Sequence, residues 1–180
     1  MQRSKEMDEV CYPFIHEVSP LCDFEVLTDE LCGNIGAALS MTSPDMSDIR
    51  ADLDALQPLA FHLNGSIRGR LAITESDLDW AKSRLDYYRD AGADQLNGFV
   101  LPRGEMPVPF LNLARSGAKK AIRQMVRLEE SAIEVPAVLP RLCNILCNLL
   151  FAMIVVINQR HGLPETLFTS KSYGSSTRSD

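Results

Sequence analysis

The run from Leu142 to Ile157, LCNILCNLLFAMIVVI, constrains the fold of this chain more than any other stretch. It is almost continuously apolar, so it must be buried on nearly every side. Its roughly 16 residues fall short of the roughly 20 that span a bilayer, and Asn144 and Asn148 interrupt it. A helix enclosed by other helices satisfies both conditions, which predicts a bundle with this segment at its centre and no membrane partner.

The remaining sequence supplies the enclosing helices, because helical spacing recurs throughout and strand-like alternation is nearly absent. The fold class is therefore all-α. Leu27, Leu31, Ile35 and Leu39 line one face of a first helix over about 24–39, with Asp29 and Glu30 projecting elsewhere. Ile49, Leu53, Leu56, Leu63 and Ile67 mark a second helix over about 47–71, with a kink expected at Pro58. Thr74 and Asp77 read as a capping pair before a third helix carrying Leu78, Ala81, Leu85 and Tyr88 and ending at Gly92. The density of proline and glycine over 98–109 predicts an ordered loop feeding a fourth helix that reaches Glu130. Pro136 and Pro140 fit only at or before the first turn of a fifth helix, whose body is placed at 141–160. Residues 1–22 read as an N-terminal segment, 23–168 as one helical domain and 169–180 as a mobile polar tail.

With 180 residues, 46% of them hydrophobic, the chain can bury a sizeable single core. A net charge of -6 opposes a nucleic-acid partner, whose binding needs clustered cations. Five cysteines form an odd set and no charged-then-apolar leader is visible, which predicts a reducing cytoplasm. Cys143 and Cys147 share a helix face and read as buried thiols, and Cys11, His16, Cys22 and Cys32 match no zinc spacing, so no metal site is predicted. His62 reads as a satisfied core histidine beside Phe61. Trp80, Tyr87 and Tyr88 read as packing, and the acidic run from Asp45 to Asp54 as a solvated face.

Two segments point to a chemistry. Phe99 to Arg123, FVLPRGEMPVPFLNLARSGAKKAIR, and Asn144 to Gly162, NILCNLLFAMIVVINQRHG, resemble the F-[VI]-L-P-G-G, A-R-T-x-x-R-R-x-E-R, N-R-L-S-D-L-L-F and N-x-R-x-G patterns of the PduO-type ATP:corrinoid adenosyltransferases. Thr28 to Gly36 is similar to that family's V-D-E-L-N-x-x-I-G, Leu56 to Leu63 to its I-Q-x-x-L-F-x-L, and Ile73-Thr74-Glu75 to its I-T-x-x-D helix start, so about residues 24–165 are covered. The resemblance implies a five-helix bundle, a homotrimer with sites at subunit boundaries, and transfer of the 5′-deoxyadenosyl group of ATP to reduced cobalamin with triphosphate leaving. Cobalt is the nucleophile in that chemistry, so the protein positions and shields, and no catalytic residue is assigned. By the resemblance, Phe99 covers the lower corrin face and Asp29 pairs with Arg115 across a subunit boundary. Lys119, Lys120, Arg123, Asn144 and Asn158 are what remains of a nucleotide site, and a cobalamin-dependent enzyme is the further partner implied.

Departures from the pattern cluster on the ATP side. Residues 1–23 contain no glycine where the family has T-K-x-G-D-x-G-x-T, a loop whose amides cradle phosphate. Lys119 and Lys120 replace arginines and lose the bidentate fork, while Ile122, Ile145 and Asn148 stand in place of Glu, Arg and Asp. Cobalamin is thus the expected ligand and ATP is in question, unless Lys5 joins Lys119 and Lys120 in a substitute phosphate site. The competing expectation is a non-catalytic protein on the same scaffold that binds a corrinoid or another tetrapyrrole, or assembles with a metabolic partner.

Overall fold

The computed structural model describes residues 4, 6–92 and 98–172. Among them five helices form the bundle: α1 (Pro20–Met41), α2 (Ser47–Gly65), α3 (Glu75–Ala91), α4 (Val108–Glu130) and α5 (Val138–Arg160). A 3-10 turn at Met7–Glu9 precedes them, and an isolated antiparallel bridge joins Val100 to Leu167. The helix α4 packs on both α1 and α5, with α2 against the far side of α1 and α3 against α5.

The apolar run lies in α5 as expected, with Leu142, Leu146, Leu149, Leu150, Met153 and Ile157 fully buried. The helix is longer than that run, because Pro140 sits in its first turn, where a missing amide donor costs no hydrogen bond. At 23 residues it is long and apolar enough to cross a membrane, yet 67% of its most apolar stretch is buried inside the bundle, as befits a core helix.

Helix ends follow local chemistry more closely than apolar spacing. The helix α1 begins at Pro20, four residues ahead of the apolar pattern, because Ser19 Oγ accepts from the Leu21 amide at 3.1 Å and Pro20 holds a helical φ at the first position. The second helix stops at Gly65 rather than near 71. Ser66 Oγ donates to the His62 carbonyl at 2.6 Å and accepts from the Ala72 amide at 3.3 Å, which turns the chain out of the helix. Pro58 lies within α2, which continues unbroken past it. The capping box at Thr74 and Asp77 is present, with the Thr74 amide 2.8 Å from the Asp77 carboxylate.

Two polar expectations on α2 are corrected. His62 is exposed rather than buried, because it falls on the face opposite the Leu53, Leu56 and Leu63 stripe. The acidic run is not simply a solvated face: Asp52 is buried and accepts from Tyr88 Oη at 2.6 Å and from Arg84 at 2.8 Å, while Asp48 takes both arms of Arg160 at 2.7 Å. These carboxylates tie α2 to the C-terminal ends of α3 and α5. Arg160 hydrogen bonding holds the Asp48 carboxyl at about 2, against an ordinary 3.8.

Candidate functional site

The loop ahead of α4 and the segment after α5 are held together by backbone. The Leu101 amide donates to Thr166 O and the Phe168 amide to Phe99 O, each at 2.8 Å. This register sets Phe99 opposite Phe168 on one face of the pair. Phe99 is 83% exposed, which removes the alternative that it is a core residue. An aromatic ring left in water at a fixed backbone position is suited to cover a flat apolar ligand.

From Val100, the residue after Phe99, an open cleft of about 610 Å³ runs past Arg103 and Gly104 along α4 by Asn112, Arg115 and Ser116 to Lys119. At Lys119 it meets a groove of about 310 Å³ between α4 and Leu27 of α1, lined by Lys119, Lys120, Arg123, Gln124 and Arg127. Lys119, Arg123 and Arg127 recur every four residues and so share one face of α4, and none forms an ion pair among the described residues. Lys120 reaches Glu30 at 4.0 Å in an exposed, weak pair. Arg127 and Arg103 were missed in the sequence; the four-residue spacing of 119, 123 and 127 was the signal available for the first.

The two asparagines expected beside these cations lie apart. Asn144 is exposed near the start of α5, where its amide donates to Pro140 O at 2.9 Å. Asn158, about four turns and roughly 21 Å further along the helix, is buried and donates to Arg103 O at 3.0 Å and to Glu165 Oε1 at 2.8 Å. Ile145 and Ile122, which stand in place of charged family residues, are packed on the core instead.

Arg115 and Asp29 make no contact with each other inside the protomer. The Arg115 guanidinium lies 4.5 Å from the Phe151 ring centroid and 3.4 Å from Asn112 Oδ1, whereas Asp29 is exposed on α1. Burial pushes the Cys143 thiol up to about 12, so it stays protonated and inert at neutral pH.

Where the family pattern has a glycine loop, this chain has a pinned segment. Tyr12 Oη donates to the buried Glu25 at 2.5 Å, and Arg68 donates to Glu25 at 2.6 and 2.9 Å while also pairing with Glu17 and stacking 3.8 Å over Phe14. Burial, reinforced by the Glu25 hydrogen bond, pushes the Tyr12 phenol up to about 12. Lys5 lies outside the described residues, as does the tail from 173 onward.

Similarity to known proteins agrees with this architecture. A sequence model of the family described as cobalamin adenosyltransferase matches residues 19–157. A corrinoid adenosyltransferase of Bacillus subtilis is 32% identical over 142 residues, covering 75% of this chain and 72% of that protein. One of Mycobacterium leprae is 32% identical over 142 residues, covering 72% of this chain and 74% of that protein. Among solved structures, a phenylalanine-to-histidine variant of the PduO-type ATP:corrinoid adenosyltransferase of Lactobacillus reuteri, complexed with cobalamin and ATP, superposes with a TM-score of 0.74 at 21% identity over 84% of this chain and 85% of that one. An arginine-to-lysine variant of the Lactobacillus reuteri protein, complexed with ATP, gives 0.76 at 22% identity over 85% and 89%. The five-helix bundle, the motifs on α1, α4 and α5 and these matches together make the chain a member of the cobalamin adenosyltransferase family.

Proposed function

We propose that the protein transfers the 5′-deoxyadenosyl group of ATP to reduced cobalamin. One observation carries this reading: Lys119 lines both the cationic groove of α4 and the cleft that starts at Val100, the residue after the exposed Phe99. A single surface therefore offers an aromatic end for a flat corrinoid and a cationic end for a polyphosphate, which the transfer must hold in line. Phe99 fits the corrin end because it excludes water and presents no ligand atom to a metal. Lys119, Lys120 and Arg123, extended by Arg127, form the anion end, with Asn144 exposed on the neighbouring helix α5.

The functional unit in this reading is a homotrimer in the cytoplasm, with Arg115 of one subunit meeting Asp29 of the next, and a cobalamin-dependent enzyme receiving the product. Support for the interface comes from Asp29, which is exposed on α1 and forms no ion pair among the described residues. The segment over 6–22 packs on the helical domain of 23–168 through Tyr12 and Glu17, which supports treating the two as one unit.

A second reading has its own observation. The segment over 6–18 is anchored through Glu25 and Arg68 and has no glycine to let amides close around phosphate, which favours a corrinoid-binding protein without transfer activity. Separate calorimetric titrations with ATP and with cobalamin, followed by an assay for adenosylcobalamin under strong reduction, decide between them. Product formation supports the transferase; cobalamin binding with neither ATP binding nor product establishes the second reading. Two or three missing charge-assisted contacts, at about 1.5 to 3 kcal/mol each, should leave ATP alone binding nearer millimolar than micromolar.

A further inference from the structure

We propose that Asn158 is a positioning residue for the corrin end of the cleft: it latches the segment 163–168 to the loop 99–104 and thereby fixes Phe99. The proposal rests on Phe99 being the corrin-facing aromatic. Phe99 is 83% exposed, so little side-chain packing holds it, and its place depends on its backbone. Among the described residues that backbone is paired by only two hydrogen bonds, Phe168 to Phe99 and Leu101 to Thr166, a ladder too short to persist unaided.

Asn158 supplies the anchor. It is 2% exposed on the last turn of α5, and its two amide hydrogens go one to each partner: Arg103 O at 3.0 Å on the loop and Glu165 Oε1 at 2.8 Å on the returning segment. Its own carbonyl accepts from the Leu163 amide at 2.8 Å, which turns the chain back at Gly162. The loop can close over the side chain because Gly104 has φ +154° and no Cβ, an atom that would collide with Asn158 Oδ1 and Val108. Asn158 Oδ1 is left buried without a partner. Buried orphan acceptors are rare in proteins. Here the latch accounts for it, since turning the amide would take Nδ2 away from both Arg103 O and Glu165 Oε1.

The test uses the full chain, with amide hydrogen exchange without ligand and kinetics with cobalamin and ATP. In Asn158→Asp, which cannot donate and faces Glu165 with like charge, the Leu101 and Phe168 amides should exchange about tenfold faster while α4 keeps its protection. With substrates, kcat and the four-coordinate Co(II) signature should fall about tenfold while KM for ATP stays within about twofold. Glu165→Ala should behave the same way, and because Glu165 lies outside the helices it carries the test if Asn158→Asp fails to fold. Glu165→Gln alone should stay near wild type, and combined with Asn158→Asp it should recover part of the loss, since the new amide can donate to the new carboxylate. Unchanged exchange at Leu101 and Phe168 would overturn the latch. A raised KM for ATP with an intact cobalt signature would overturn it too, returning Asn158 to the nucleotide. Faster exchange together with a cobalt signature that even Phe99→Ala leaves intact would overturn the corrin reading of Phe99 and leave the latch standing.

Discussion

Phe99 and the leucines of α5 separate two uses of apolar side chains. Phe99 contributes almost no burial, so Phe99→Ala should change stability by no more than about 0.5 kcal/mol. If its ring shields a corrin face, the same substitution should abolish the four-coordinate Co(II) signature, because water or a lower ligand then reaches the metal. Leu149→Ala or Leu150→Ala, each emptying a fully buried site, should instead cost about 2 to 5 kcal/mol. Thermal melts and cobalt spectra on the three variants measure both quantities. A Phe99→Ala protein that melts as early as the leucine variants would mean that the aromatic supports the fold.

The N-terminal segment and the helix ends are held by ion pairs of two kinds. Glu25 is 2% exposed and Arg68 is its only cationic partner within salt-bridge distance among the described residues, so Arg68→Ala strands a buried carboxylate and should cost about 3 to 5 kcal/mol. Denaturant midpoints measure that cost. Proteolysis between Cys11 and Val18 should rise in the same variant, because Phe14 and Glu17 lose their common anchor. The Asp48 and Arg160 pair is partly exposed and acts through pH. Its carboxyl is held at about 2 against 3.8, so the stability it contributes is fully present above about pH 4 and is lost as pH falls through about 2. Asp48→Asn should therefore cost about 1 kcal/mol at pH 6, allowing for solvent screening, and melting curves of variant and wild type should converge near pH 2.

The assembled state is a matter of surfaces the protomer leaves open. Arg115 lies over Phe151 and beside Asn112, half-buried, with no carboxylate among the described residues to pair with it, while Asp29 is exposed on a different helix. A trimer that joins these two charges should sediment as such at micromolar concentration. Arg115→Ala should shift it toward monomer, since removing one partner strands the other. A wild-type protein that sediments as a monomer would remove the interface from the functional reading.

The all-α class, the five helices and the buried Leu142 to Ile157 run were legible because burial of one helix face imposes a period that sequence displays directly. The Thr74 capping box and the exposed Asp29 and Glu30 were legible for the same local reason. Ser19-Pro20 was equally readable as a helix start, though the apolar spacing placed that start at 24. Other features depend on partners far along the chain. Asp52 is buried because Arg84 and Tyr88 arrive from α3, Asn158 lies between Arg103 and Glu165, and Lys119 joins a cleft to a groove through the packing of α4 on α1. Local composition settles which residues must be covered, because apolar area and backbone geometry act over a few residues. Which polar groups meet is settled by the packing of whole helices, since a hydrogen bond acts over about 3 Å and its partners here stand up to 112 residues apart.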